Sequence, residues 1–501
     1  MTSILGIVIA LAGLIVFAYR GASVLLLAPA MAMVAVLLSP EAPLLASYTQ
    51  VFMAALGQFV VLYFPLFLLG AVFGKLMEAS GAARAIADGI AAALGRERAV
   101  LAVVLACAVL TYGGVSLFVV AFAVYPIAVA LFRDAQVPER LIPATIALGA
   151  FTFTMTALPG TPAIQNAIPM PFFGTTPFAA PGLGLIAGAV MGVLGTLWLV
   201  RRAAAARRAG EGFRTPLPPA SACDAGAGRS DDAPARPTKP LREHAQGEGY
   251  DLAEIGGAAE AAGAAAARPG FWLALAPVVA VIALNYGFAT HWLPALDTRY
   301  LALPRFGATS LDALLGIWAI IAALVLAITL TVALHWRRLA DLRQTLGDGA
   351  NAAVLPILNT ASQVGFGAVI ASLAGFALIR DAVLGIAPGN PLISLSVAVN
   401  VLAGITGSAS GGMSIALQTL GANYLEMGRA AGIAPQLLHR VTAIATGGLD
   451  ALPHNGAVIT LLAICKLTHR QSYFDILVVA VLVPLLALAT VVTLGSVFGS
   501  F

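Results

Sequence analysis

Ala157-Leu158-Pro159-Gly160-Thr161-Pro162-Ala163-Ile164 returns later in the chain as Ala451-Leu452-Pro453-His454-Asn455-Gly456-Ala457-Val458-Ile459. Upstream of each copy stands a second matched pair, Gly113-Gly114-Val115-Ser116 and Gly411-Gly412-Met413-Ser414. The copies lie about 294 positions apart in the first case and about 298 in the second, the spacing of two related halves. Each interrupts a long apolar run with residues that weaken helices, Gly by about 1 and Pro by about 3 kcal/mol relative to Ala. In a bilayer, helices broken at corresponding places in two halves point to a transport site.

Composition settles the solvent. Of 501 residues, 60% are hydrophobic and only 10% are charged, and the mean hydropathy is +0.94. Apolar runs of bilayer-spanning length recur throughout, so the chain reads as a multi-pass membrane protein. Its basic residues sit at the ends of apolar runs, as the positive-inside rule expects, and form no aromatic-laced patch for nucleic acid. Met1 to Tyr19 has no cationic stretch ahead of its apolar run, so it reads as a retained span and not a cleaved signal. Cys107, Cys223 and Cys465 lack metal-ligand spacing and imply no disulfide framework.

Apolar segments fall near 4–19, 22–38, 51–73, 99–131, 141–158 and 182–200, and again near 271–290, 309–334, 352–379, 392–420, 438–464 and 474–499. Between the sets, residues 201–269 are rich in Ala, Gly, Pro and charge, too polar to fold against the entropy of ordering. They read as a flexible linker, placed in the cytoplasm by Arg201, Arg202, Arg207 and Arg208. Residues 1–200 and 270–501 are then two transmembrane repeats.

Charge sets the topology. Arg20, Lys75, Arg84, Arg96, Arg98, Arg133 and Arg140 belong inside, while Ser39 to Gln50 and Pro159 to Pro181 carry no Lys or Arg and belong outside. The run at 99–131 would be about 50 Å long as one helix, against a hydrocarbon core of about 30 Å. A re-entrant hairpin turning at Thr111-Tyr112-Gly113-Gly114 solves this, and 392–420 is its counterpart, turning at Gly404-Ile405-Thr406-Gly407-Ser408. Five crossings and a hairpin per half make the repeats inverted. The expected fold is an all-α polytopic membrane protein of about 10–12 transmembrane helices with re-entrant or broken segments. This topology leaves Arg380, Arg429 and Arg440 outside.

The chemistry should lie where the breaks meet, because non-helical backbone in a bilayer survives only when buried in protein or lining a cavity. Asp450 and His454 are the candidates for proton coupling; alternatively they only cap helix ends. Asn455, Thr161, Gln165, Asn166, Thr111, Ser116, Asn359, Thr360, Thr406, Ser408 and Ser410 are candidates for binding substrate; the same hydroxyls and amides also suit backbone satisfaction and helix packing. Gly113, Gly114, Pro159, Gly160, Pro162, Gly411, Gly412, Pro453 and Gly456 are read as the helix-breaking residues. Exposed N–H groups at half-helix N-termini favour an anion. No Arg or Lys lies in the breaks, which suits a monocarboxylate better than a multiply charged substrate. Lys75 with Glu78 reads as an ordinary solvated segment end.

In Tyr112-Gly-Gly-Val-Ser-Leu-Phe-Val-Val-Ala-Phe, Thr156-Ala-Leu-Pro-Gly-Thr-Pro-Ala-Ile-Gln-Asn and Gly448-Leu-Asp-Ala-Leu-Pro-His-Asn-Gly-Ala-Val-Ile the sequence resembles the gluconate permease (GntP) family of proton symporters, within the ion transporter superfamily. It looks closest to the branch of D-β-hydroxybutyrate permeases. The sugar-acid members tend to be richer in His and Pro at the first break, here Leu158-Pro159-Gly160-Thr161-Pro162. The resemblance implies proton-coupled uptake of a small hydroxy-carboxylate across the bacterial inner membrane, with no cofactor or metal. Partners are then the carboxylate, protons and lipid, with no nucleic acid; a homo-oligomer is compatible with all of this. A Na⁺-coupled symporter and a channel remain as alternatives. A membrane enzyme is disfavoured, since neither His-Glu-x-x-His nor Gly-x-Ser-x-Gly in a strand-to-helix context is present.

Overall fold

Two long apolar helices, one from each half, form the spine of the molecule. In a computed structural model that describes residues 2–19, 23–213, 269–387, 389–453 and 455–501, all regular structure among the described residues is helical. The first half begins with α1 (Thr2–Tyr19), α2 (Val24–Leu37) and α3 (Leu44–Ala79), then a short amphipathic α4 (Ala82–Leu94). Next come α5 (Ala99–Tyr112), α6 (Leu117–Asp134), α7 (Ile142–Ala150), the short α8 (Ile164–Ala167) and α9 (Pro169–Phe173), and α10 (Pro181–Arg208). The second half opens with α11 (Phe271–Trp292), α12 (Leu311–Arg338), α13 (Leu342–Ser372) and the short α14 (Phe376–Leu384). It closes with α15 (Pro391–Thr406), α16 (Ala409–Ala430), α17 (Pro435–Leu449), α18 (Gly456–Ile464) and α19 (His469–Phe498).

The element order thus runs twice: three long helices, a short one, a hairpin, a broken helix and a final long helix. Two of the matching pairs pack against each other antiparallel. In the spine, Gly349 near the start of α13 meets Val72 near the end of α3, and Gly365 near the end of α13 meets Phe52 near the start of α3. Likewise Gly182 of α10 donates its N–H to the carbonyl of Phe501 beyond α19, while Arg202 at the other end of α10 meets Asp475 near the start of α19. Glycines at such crossings let backbones approach, which is how helices associate when lipid supplies no hydrophobic contrast.

Among the described residues, seven helices are long and apolar enough to cross a membrane, and shorter apolar helices accompany them. Their outer faces carry Leu26, Val61 and Trp272 at 74%, 82% and 78% exposure, a surface suited to lipid and not to water. The chain is a multi-pass all-α membrane protein.

Packing divides the helices into two groups. One holds α1, α2, α3, α11, α12 and α13; the other holds the hairpins, the broken helices and the paired α10 and α19. The amphipathic α4 and α14 bridge them, α4 burying Ala82, Ala83, Ala85, Ile86 and Ala87 on one face.

Several boundaries differ from expectation. Arg201 to Arg208 are the last turns of α10 and not linker, because a run of Ala and Arg is a strong helix former; residues 214–268 of the expected linker lie outside the described residues. The expected segment 352–379 divides into α13, which starts ten residues earlier at Leu342, and α14. Tyr112 completes α5, so the first hairpin turns over Gly113 to Ser116; the second turns at Gly407 and Ser408, with Gly404 to Thr406 still helical. Gly411 and Gly412, expected as breakers, lie in the first turn of α16. A Cβ on Gly412 would overlap the backbone of Ala403, so this glycine permits the close crossing of α15 and α16 and does not interrupt a helix. Gly456 opens α18 in the same helical fashion.

Candidate functional site

The four interruptions meet around one cavity of about 530 Å³, walled on one side by the hairpin tips and broken helices and on the other by α3 and α13. It therefore lies on the seam between the two helix groups.

The first tip is shaped by Gly114, whose φ of +90° is open to glycine and strained for other residues. The Tyr112 hydroxyl donates to the Pro159 carbonyl at 2.6 Å and so ties this tip to the first break. In the break, Gly160 also has a left-handed φ of +80°, and Asn285 of α11 donates to its carbonyl at 3.0 Å. The second tip turns through Gly407 at φ +62°. Asn455 plays there the part Tyr112 plays in the first half. Its Nδ2 donates to the Gly407 carbonyl at 2.6 Å, and its Oδ1 accepts from the N–H of Val458 at 3.0 Å, capping α18. The rest of the second break is held by α19: His469 lies 2.9 Å from the Pro453 carbonyl, and the Tyr473 hydroxyl donates to the Ala451 carbonyl at 3.1 Å.

Of the candidates, the structure brings Asp450, Asn455, Gln165, Thr111, Ser116, Asn359, Thr360, Ser408 and Ser410 to the cavity wall, with Gly114 and Pro162 among the breakers. Three side chains of the wall carry a buried polar atom with no hydrogen-bonding partner among the described residues: Thr111 Oγ1, Gln165 Oε1 and Gln363 Oε1. Such atoms cost about 1–3 kcal/mol each when left unmatched, so a ligand that supplied their partners would recover that cost. The N-terminal ends of α6, α16 and α18 also reach this wall, at Ser116 with Leu117, Ser408 with Ala409, and Asn455 with Ala457. Three N-termini converging on one space favour an anion there.

Other candidates sit behind the wall. Thr406 spends its hydroxyl on the carbonyls of Leu402, Ala403 and Ser408. Thr161 Oγ1 accepts from Ala163 N–H, and Asn166 donates to the carbonyls of Thr161 and Pro177 at 3.0 and 2.9 Å. Gly113 makes room for Val278 of α11. Pro159, Gly160, Pro453, Gly411, Gly412 and Gly456 are not on the wall. His454 lies outside the described residues.

Sequence reasoning missed the residue that organises the first break. Arg440, which the charge-based topology leaves on the outer side, is fully buried inside α17. Its guanidinium donates to the carbonyls of Ala157, Pro177 and Ala179 and to Asn166 Oδ1 through five hydrogen bonds of 2.7–3.4 Å. Next to it, His439 joins Thr175 and Asn166 at 2.6 and 3.2 Å. The first break thus has a permanent cation after all, supplied by the other half. A lone Arg inside the apolar run 438–464 was the available signal, since charge at membrane depth is costly unless used. Lys75, Asp348 and Asn351 also reach the cavity. Lys75 and Glu78 form a 3.4 Å pair with both side chains only 16% exposed, so they are not a solvated end.

No protein-family model matches the chain. It is 43% identical over 493 residues to the uncharacterized transporter YxjC of Bacillus subtilis (strain 168), an alignment that covers 97% of this chain and 98% of that one.

Proposed function

The chain belongs to the family of the uncharacterized transporter YxjC, and on that premise we propose that it is a proton-coupled symporter of the gluconate permease type. Its substrate in this reading is a small hydroxy-carboxylate, 3-hydroxybutyrate before gluconate, taken up across the bacterial inner membrane by alternating access. The observation that carries the reading is the convergence of three helix N-termini and three unmatched polar side-chain atoms on one cavity between two helix groups.

The chemistry follows from those groups. A carboxylate is held by the N–H groups at the starts of α6, α16 and α18. Hydroxyls and amides of Ser116, Thr360, Ser408, Gln165 and Gln363 have the donors and acceptors to read a substrate hydroxyl. Asp450, on the same wall, would repel an entering carboxylate while ionised. A proton on Asp450 removes that repulsion, so proton and anion enter together and leave together. Movement of one helix group against the other at the seam then exposes the site to the opposite side.

Uptake of labelled 3-hydroxybutyrate into cells expressing the chain, with and without a protonophore, tests this. Uptake that the protonophore abolishes and excess gluconate does not compete is the expected result; no uptake from well-expressed protein rejects it. A second reading rests on the same unmatched oxygens, which are also ligands for Na⁺. Replacing external Na⁺ by choline abolishes uptake in that case and leaves it intact under proton coupling.

A further inference from the structure

The cavity wall formed by α13 carries polar side chains on one helix face in two clusters, Asp348 with Asn351 and then Asn359, Thr360 and Gln363, with Leu355 and Pro356 between them. From Asp348 to Gln363 it spans about 22 Å, more than half the hydrocarbon core. Exposure falls along it: Asn351 is exposed, whereas Asn359 and Gln363 are 5% and 3% exposed. The cavity is therefore a passage that opens at the start of α13 and ends at the hairpin tips. Lys75, near the end of the antiparallel α3, stands at the same mouth and is the one Lys or Arg on the wall among the described residues. Arg337, Arg338 and Arg343 cluster beside the start of α13, which puts the mouth on the cytoplasmic side.

We infer that this structure is open to the cytoplasm and that Lys75 at the mouth is a release site, holding the carboxylate of the departing substrate. This rests on the proposed carboxylate transport. The deep site offers dipoles and hydroxyls, and Lys75 is the next cation an outgoing anion meets. Its present partner, Glu78, is one turn away on the same helix at 3.4 Å, a weak pair that a substrate carboxylate can exchange with. Such an exchangeable cation suits brief holding before release. Asp348 opposite it makes the mouth less attractive to anions returning from the cytoplasm.

Two measurements decide the matter. In the first, half-saturating concentrations for exchange of labelled 3-hydroxybutyrate are measured at each face, using right-side-out and everted membrane vesicles. Lys75→Gln should raise the cytoplasmic value by about tenfold and leave the external value within about twofold, the loss of one charge-assisted contact. Glu78→Gln, which removes the competitor, should lower the cytoplasmic value, and Lys75→Arg should restore it. Salt should weaken cytoplasmic affinity in the wild type and less so in Lys75→Gln. An equal rise at both faces, a rise at the outer face alone, or no change overturns the release site. In the second, Asn351→Cys is placed in a chain whose Cys107, Cys223 and Cys465 are alanine, and a membrane-impermeant maleimide is added from either side. Labelling in everted vesicles supports the cytoplasmic opening; labelling only from outside, or none in folded protein, overturns it. If the wild type moves no carboxylate, the transport reading and the release site fall together, and the labelling still decides which way the passage opens.

Discussion

Replacing Arg440 with methionine keeps most of the side-chain volume and removes every donor. Of the acceptors it serves, the Pro177 carbonyl keeps Asn166 Nδ2 at 2.9 Å, and Asn166 Oδ1 keeps His439 at 3.2 Å. The carbonyls of Ala157 and Ala179 keep nothing, having only their bonds of 3.0 Å and of 2.7 and 3.0 Å to the guanidinium. Two orphaned buried carbonyls at about 1–3 kcal/mol each give a loss of about 2–6 kcal/mol. Relief of the buried charge's own desolvation pulls the result toward the lower end. Because both carbonyls flank the first break, its backbone should loosen and uptake should fall by at least about tenfold, the equivalent of 1.4 kcal/mol at the site. Arg440→Lys should fall between, since an ammonium cannot span both carbonyls as a planar fork does. Thermal unfolding of purified protein in detergent, read by tryptophan fluorescence, should be run beside uptake in cells. Wild-type melting and wild-type uptake for Arg440→Met would refute the reasoning, showing that Tyr112, Asn285 and Asn166 hold the break unaided.

Asp450→Asn should abolish protonophore-sensitive accumulation while leaving exchange of internal for external substrate measurable; accumulation that persists removes Asp450 from coupling. Gly412→Val should cost about 1–3 kcal/mol or more by forcing α15 from α16, whereas Gly57→Ala, with open space around it inside α3, should melt at or above the wild-type temperature. Just past the end of α10, Arg140 holds the Glu211 carboxyl below its ordinary range through hydrogen bonds of 2.7 and 2.9 Å. A carboxyl with a lowered folded-state pKa stabilises above its unfolded pKa and loses that contribution as pH falls through the folded value. Glu211→Gln should therefore lower the melting temperature at neutral pH, and the gap should close in acid; a gap independent of pH would assign the effect to packing.

The solvent, the helical class and the doubling of the chain were all legible in the sequence, because each rests on local chemistry. Apolar length dictates spanning helices whatever their neighbours, and Ala-Leu-Pro twice over dictates two broken helices. Nine of the thirteen coupling and binding candidates line the cavity for the same reason, since polar groups beside a break in a bilayer have few other uses. What the sequence could not separate was use from support. Thr161, Asn166 and Thr406 have the same chemistry as Gln165, Asn359 and Ser408, and only the fold decides whether a side chain faces the cavity or the backbone behind it. Gly411 and Gly412 read as a break because glycine weakens helices, yet Gly412 lets α16 cross α15 at Ala403 and Gly411 leaves room for Gln363 of α13. Arg440 was left on the outer side and Lys75 at a solvated segment end by a rule that counts charge along the chain. Tertiary structure overruled it by folding Arg440 onto carbonyls about 260 to 280 residues away, and by setting Lys75 across a cavity from a helix of the other half. Those pairings depend on two inverted halves closing on each other, a relation between distant segments that no local pattern contains.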